Sequence, residues 1–191
     1  ELLERLGARL VEFSPLEDKN LPEGTCGLYL GGGYPELLAE QLSQNTAILS
    51  AIRNGVAGGL PTVAECGGFL YLHEMLEDAD GTDWPMAGVI PGRAWNTGRL
   101  GRFGYVTLTA RTSGLLCQAG EELPAHEFHY WDSQQPGDSF RAQKPLSDRG
   151  WDCGIHTPTL YAGFPHFHFW ARPEMARNFV AAARRRQEAL L

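Results

Sequence analysis

The sequence has few positive charges, no long hydrophobic run and no recognisable signal peptide, and each absence excludes a class of protein. Its 191 residues carry 16 lysines and arginines against 23 aspartates and glutamates, a formal net charge of −7. Because neutralising phosphates requires a basic face, this balance argues against general nucleic-acid binding. No stretch has the length and apolar character of a membrane span. We therefore expect neither a nucleic acid nor a membrane as a partner.

Closely spaced cysteines are also lacking, because the four cysteines are far apart and none forms a Cys-x-x-Cys pair. This spacing favours a cytoplasmic chain with reduced thiols over a disulfide framework. Cys26, Cys117 and Cys153 carry no local signature and are interpreted as packing residues. The chain also lacks the Gly-x-x-x-x-Gly-Lys-Ser/Thr pattern, so we do not expect it to bind ATP through a Walker loop.

The stretch 60–72 predicts a reactive cysteine. Leu60 to Ala64 is typical of a buried strand, and the glycines after Cys66 allow the chain to turn sharply into a helix. This is the pattern of a nucleophile elbow, which exposes a thiol at a strand end beside helical amides that favour the thiolate. The alternative is a small buried cysteine that only packs.

A second glycine-rich segment follows the strand predicted over 26–30. Gly31, Gly32 and Gly33 let backbone amides approach a ligand closely, and Pro35 suits the start of a helix. The apolar pattern predicts that helix over 35–56, with a break near residues 43–45. Alternating strands and helices indicate a mostly parallel sheet covered by helices on both faces, with ligands at the carboxyl ends of its strands.

The ends of the chain complete this pattern. We predict a helix at residues 1–6 that ends at Gly7, then a strand over 9–13, and a last helix over 173–191. Shorter strands are predicted after residue 78, including 88–91 and 104–109. A helix at the very start of an alternating pattern suggests that a preceding strand lies outside the sequence.

Two aromatic stretches carry most of the histidines. In the strand predicted over 126–131, Glu127 and His129 share one face because side chains alternate. The stretch 163–170 repeats the pattern and places His166 and His168 on one face, so spacing does not choose between them.

Three hypotheses combine these residues. In the first, the Cys66 thiolate attacks an amide carbonyl and a late histidine acts as the base. The amides of Gly67 and of either Gly32 or Gly33 would then bind the oxyanion. A zinc-dependent hydrolase could instead use His129, His166 and His168, but this leaves the elbow unexplained. A catalytically silent binding module has no need of the elbow cysteine.

With these motifs assembled, the whole chain resembles the class I glutamine amidotransferases, specifically the carboxy-terminal domain of the corrinoid a,c-diamide synthase family. The resemblance rests on five segments in order: residues 13–16, 28–36, 64–72, 126–130 and 166–169. It implies a flavodoxin-like α/β fold spanning 1–191. It also implies that the chain lacks its first strand and an amino-terminal ATP-dependent synthetase domain.

The resemblance further implies which residues act. Cys66 is the nucleophile, and placing Phe167-His168 on the family's Phe-His-Pro-Glu motif makes His168 the base, with His166 as the alternative. Glu127, His129 and His166 are then candidates for contacts with the glutamine substrate. The domain itself needs no metal or cofactor, whereas the absent domain would use ATP and Mg²⁺ to amidate cobyrinate or hydrogenobyrinate.

One position departs from the family pattern. Where the usual triad has glutamate two residues after the histidine, this chain has Trp170, which cannot orient an imidazole as a carboxylate does. A Cys-His dyad is therefore expected, with Glu127 or a backbone carbonyl as a substitute for the missing group.

Overall fold

The computed structural model describes residues 1–190, which form strands in three sheets and a few helices. The strands are β1 (Leu28–Leu30), β2 (Thr62–Glu65), β3 (His73–Glu77), β4 (Asp83–Pro85), β5 (Ile90–Asn96), β6 (Arg102–Ala110), β7 (Glu122–His129), β8 (Trp131–Ser133), β9 (Phe140–Gln143), β10 (Gly150–Cys153), β11 (Ile155–His156), β12 (Leu160–Gly163) and β13 (His166–Phe167). The helices are α1 (Leu2–Arg5), α2 (Ala39–Gln44), α3 (Thr46–Ala57), α4 (Gly67–Tyr71) and α5 (Pro173–Ala189), with a 3₁₀ turn at Pro35–Leu38.

The central sheet has the order β1-β2-β12-β11, and its first three strands are parallel. Alternate residues of β2 face opposite ways, so Ala64 packs in the cluster that contains Ile48 and Ile52 of α3. Val63 packs on the other side with Phe179 of α5. Helices therefore cover both faces of this sheet, as predicted.

The other two sheets are mainly antiparallel. One has the order β10-β9-β6-β7-β13, and the other has the order β4-β3-β5-β8, in which only β3 and β5 run parallel. The predicted α/β class with a parallel sheet is confirmed, and the fold adds these two sheets after residue 72. They contain the longest strands of the described residues, with nine residues in β6, eight in β7 and seven in β5. The prediction of shorter strands after residue 78 is therefore wrong, because β6 and β7 pair with each other along a long antiparallel register.

The break predicted in the second helix is confirmed, whereas the strand predicted near the start of the chain is wrong. The helix predicted over 35–56 does break, at Asn45 between α2 and α3. Residues 9–13 form no strand. Leu10 and Val11 are each 52% exposed and have no strand partner among the described residues. The last helix ends at Ala189, and Leu191 lies outside the described residues.

Candidate active site

Cys66 lies at the turn from β2 into α4, at the carboxyl end of a central parallel strand. Its backbone angles are φ 48° and ψ −102°, a region that residues with a side chain rarely adopt. The Cys66 amide donates a 2.8 Å hydrogen bond to the Gly163 carbonyl at the end of neighbouring β12. The sharp, strained bend predicted for a nucleophile elbow is therefore confirmed, and packing on both sides maintains the strain.

The glycines after Cys66 bring the elbow against the triple-glycine loop. A Cβ on Gly67 would lie 2.6 Å from the Gly33 oxygen and 2.7 Å from the Gly33 nitrogen, and one on Gly68 would lie 2.2 Å from the Leu30 oxygen. The Gly68 amide also donates a hydrogen bond of 3.0 Å to the Gly31 carbonyl. Only glycine permits such an approach, so the two segments lie together, as their positions at strand ends predict.

His166 lies against the same loop. Its ring is so close to Gly32 that a Cβ there would lie 2.6 Å from the His166 Cε1 atom. Strand β13 pairs with β7, where His166 is opposite His126, and the Cys66 Sγ atom lies 3.8 Å from the Phe128 carbonyl oxygen on β7. The structure thus gathers Cys66, the glycine loop and His166 around the end of β2.

His168 has different surroundings. It follows the end of β13, and its side chain is exposed. It makes no side-chain hydrogen bond to the described residues, whereas its backbone carbonyl accepts one from Ala171. Sequence spacing could not separate the two histidines, but their contacts do, because only His166 is seen in contact with the glycine loop.

Glu127 and His129 share the buried face of β7, as the alternation predicted. The His129 Nδ1 atom is 2.6 Å from the Trp131 carbonyl oxygen, and its Nε2 atom is 3.4 Å from Glu127 Oε2. Its ring stacks on Phe164 with centroids 3.8 Å apart, and Glu127 also accepts a hydrogen bond from the Trp151 indole. Both side chains therefore already have protein partners, and none of these contacts orients the His166 ring.

The sequence predicts that the thiolate of Cys66 is favoured, but the structure raises the pKa of this thiol. A hydrogen bond from the Gly67 amide lowers the pKa of the thiol, as predicted for an elbow. Burial has the larger effect, and together with the charges of Glu36, Glu65 and Glu127 it raises the pKa to about 11. In the free protein Cys66 is therefore a thiol, and a base must take its proton.

His166 is suited to accept that proton. Burial lowers the pKa of its imidazole, and the neighbouring His126 and His129 lower it further, although Glu127 acts in the opposite direction. A lowered pKa keeps the ring neutral near pH 7, which is the form that can take a proton from a thiol.

Glu65, the residue before Cys66, was missed by the sequence reasoning. Its side chain is only 3% exposed. Its Oε2 atom accepts a 2.6 Å hydrogen bond from the Tyr29 hydroxyl, and its Oε1 atom accepts a 2.9 Å bond from the Phe167 amide. The sequence does contain a feature that could have identified it: Glu65 is a charged residue at the end of an otherwise apolar buried strand. A charged side chain in such a place requires a hydrogen-bonding partner.

The zinc-hydrolase alternative is not favoured by these placements. Within residues 1–190, no group of three or more His, Cys, Asp or Glu side chains is placed to hold a metal ion. His129 has partners on both ring nitrogens and His168 is exposed. Nor does any helix in that range have the length and apolar content needed to cross a membrane.

Comparisons with known proteins agree with this fold. The model of the CobB/CobQ-like glutamine amidotransferase domain matches residues 1–174, and the chain therefore belongs to that family. A solved structure titled as a glutamine amidotransferase covers 95% of this chain, and the chain covers 90% of it, with a TM-score of 0.65. At 19% identity, this likeness supports the fold alone.

Curated relatives show which kind of glutamine amidotransferase the chain is similar to. The chain is 42% identical over 189 residues to a cobyrinate a,c-diamide synthase of Salmonella typhimurium, covering 97% of this chain and 41% of that protein. It is 40% identical over 187 residues to a hydrogenobyrinate a,c-diamide synthase of Thermobifida fusca, covering 95% of this chain and 38% of that protein. The chain thus spans about two fifths of the length of these relatives.

Proposed function

We propose that the chain hydrolyses glutamine and supplies the ammonia to a second active site in a longer synthase. The observation that carries this proposal is the meeting of the strained Cys66, the Gly32–Gly33 loop and the His166 ring around the end of β2. A strained cysteine, a neutral imidazole and nearby backbone amides are the groups that amide hydrolysis by a thiol requires.

The first half of the reaction forms a thioester. His166 takes the Cys66 proton as the sulfur attacks the side-chain carbonyl of glutamine, and the amides of Gly67 and of Gly32 or Gly33 bind the resulting oxyanion. The imidazolium then gives the proton to the amide nitrogen. The C–N bond breaks, ammonia leaves, and a γ-glutamyl thioester remains on Cys66.

The second half releases glutamate. His166 takes a proton from water as the water oxygen attacks the thioester, and the oxyanion occupies the same donors. The C–S bond breaks, the sulfur regains a proton, and glutamate departs. We assign the base to His166 on its contact with Gly32, and His168, which the family motif favours, is the alternative.

The fate of the ammonia is proposed from the relatives. Their names are cobyrinate or hydrogenobyrinate a,c-diamide synthase, so the chain would act with an amino-terminal synthetase domain on one of these corrinoids. That domain would use ATP and Mg²⁺ to activate the a and c carboxylates. We also propose a cytoplasmic location, in keeping with four cysteines that are not paired in disulfides.

The test compares two nitrogen sources in the full-length synthase. Cys66→Ala and His166→Ala should each lower glutamine-dependent synthesis by at least about 10³-fold, while synthesis from added ammonia continues at the wild-type rate. Cys26→Ala is the matched cysteine control, because Cys26 is free and partly exposed. Unchanged glutamine use in Cys66→Ala would contradict the proposed nucleophile.

The same assay separates the two histidines. If His166 is the base, His168→Ala should keep glutamine-dependent synthesis within about 5-fold of the wild type, as expected for an exposed residue without partners. A large loss in His168→Ala with little change in His166→Ala would reverse the assignment while leaving the proposed reaction intact.

A further inference from the structure

The carboxylate of Glu65 connects the nucleophile elbow to the strand that carries His166. Glu65 directly precedes Cys66, and its Oε1 atom accepts the 2.9 Å hydrogen bond from the Phe167 amide across 102 positions of sequence. Its Oε2 atom accepts the 2.6 Å hydrogen bond from the Tyr29 hydroxyl on β1. One side chain therefore joins three segments that meet at the candidate active site.

The position is electrostatically costly. A buried carboxylate must be hydrogen-bonded to be tolerated, and the negative charge of Glu65 also raises the pKa of the Cys66 thiol. A neutral residue would avoid both costs. The contacts explain the carboxylate, because a backbone amide can only donate, and the Tyr29 hydroxyl donates as well, so the site matches a side chain with two acceptor oxygens.

The contact with Phe167 constrains His166 directly. The Phe167 amide belongs to the same planar peptide unit as the His166 carbonyl, so fixing that amide fixes the backbone from which the imidazole projects. No other side chain of the described residues bonds this amide. Glu127, the other carboxylate near the histidine, is bonded to His129 and Trp151.

We propose that Glu65 is a positioning residue for the cysteine–histidine pair. It holds the backbone of β13 so that the His166 ring lies against the glycine loop beside Cys66. In this way it supplies, from the nucleophile's side of the site, the orienting constraint that the third member of a catalytic triad gives to its histidine. The proposal rests on the glutaminase function proposed above.

Two substitutions of Glu65 separate the effect of side-chain length from the effect of negative charge. Glu65→Asp keeps the negative charge but withdraws the carboxylate by one methylene, about 1.5 Å, so it cannot reach both partners. Glu65→Gln keeps the length and one acceptor for the Phe167 amide but removes the charge. The readout is the rate at which 6-diazo-5-oxo-L-norleucine, a glutamine analogue with an electrophilic carbon, labels Cys66, measured by mass spectrometry.

If Glu65 acts by position, Glu65→Asp should slow labelling by at least about 10-fold, because displacements near 1 Å are costly in catalysis. Glu65→Gln should stay within about 3-fold of the wild type, since an amide oxygen replaces the needed acceptor. The opposite order, with Gln impaired and Asp normal, would mean that charge matters rather than reach, and would overturn the proposal.

A double-mutant cycle tests whether Glu65 acts through the histidine. In the His166→Ala background, Glu65→Asp should cause little further loss, because the group that it positions is already gone. Fully additive losses would indicate a role elsewhere, such as general stability, and would also overturn the proposal. Melting temperatures and circular dichroism establish that each variant is folded.

Tyr29→Phe keeps the proposal testable if Glu65→Asp does not fold. Tyr29 is 40% exposed, so removing its hydroxyl releases one of the two contacts without emptying the core. It should slow labelling by about 2- to 5-fold, whereas Tyr34→Phe, at an exposed tyrosine, should not. A wild-type labelling rate in Tyr29→Phe would then refute the proposal. Failure of wild-type Cys66 to label at all would instead refute the glutaminase function.

Discussion

Replacing Gly67 by alanine tests the contact between the elbow and the glycine loop. The new Cβ would lie 2.6 Å from the Gly33 oxygen, whereas ordinary contacts begin at 3.4 Å, so the gap must open by about 0.8 Å. A displacement near 1 Å of a catalytic group costs about 10²-fold in rate. We therefore expect Gly67→Ala to lower glutamine hydrolysis by about 30- to 100-fold. The overpacking should also cost about 2 kcal/mol of stability.

The assay combines glutamine hydrolysis with thermal melting. A loss of about 2 kcal/mol corresponds to about 4–8 °C in Tm for a chain of this size. Gly31→Ala is the matched control, because it lies in the same loop and its Cβ would meet only a Tyr29 ring carbon at 3.6 Å. Hydrolysis by Gly67→Ala within 3-fold of the rate of Gly31→Ala would refute the argument that the tight approach aligns the oxyanion donors.

Two pH dependences follow from buried groups. Burial lowers the pKa of His73 to about 4, so its stabilising contribution is complete above the unfolded-state pKa near 6.5 and is lost as the pH falls towards 4. The free energy of unfolding should drop by about 2 kcal/mol between pH 7 and pH 5. Denaturant titrations should find a smaller drop in His73→Gln, and an equal drop would contradict the assignment. Because burial raises the pKa of Cys66 to about 11, its alkylation by iodoacetamide should still increase between pH 8.5 and 10, where a model peptide thiol levels off. A plateau below pH 9 would show that the thiolate is more stable than the structure indicates.

The parts of the fold that followed from sequence were those set by local pattern. The elbow at Cys66 and the break at Asn45 each depend on a short run of residues whose geometry is strongly restricted. The alternation of Glu127 and His129 on one face of β7 is likewise a property of any strand. These features needed no knowledge of what packs against them.

The parts that could not be predicted depend on long-range pairing. The segment 9–13 has the composition of a strand, but Leu10 and Val11 pair with no strand of the described residues and remain exposed. The choice between His166 and His168 depends on where β13 ends and on which residue meets Gly32. The partners of Glu65 lie 36 and 102 positions away, beyond the range of any local pattern.

The 102-residue span between Glu65 and Phe167 also has a consequence for biosynthesis. A nascent chain in which Cys66 has just left the ribosome does not yet have β13, so the proposed pair of Cys66 and His166 cannot form until that strand has also been made. Closing so distant a contact is slow compared with forming α3 or a hairpin. The proposed glutaminase site is therefore complete only after the residues of β13 have been synthesised.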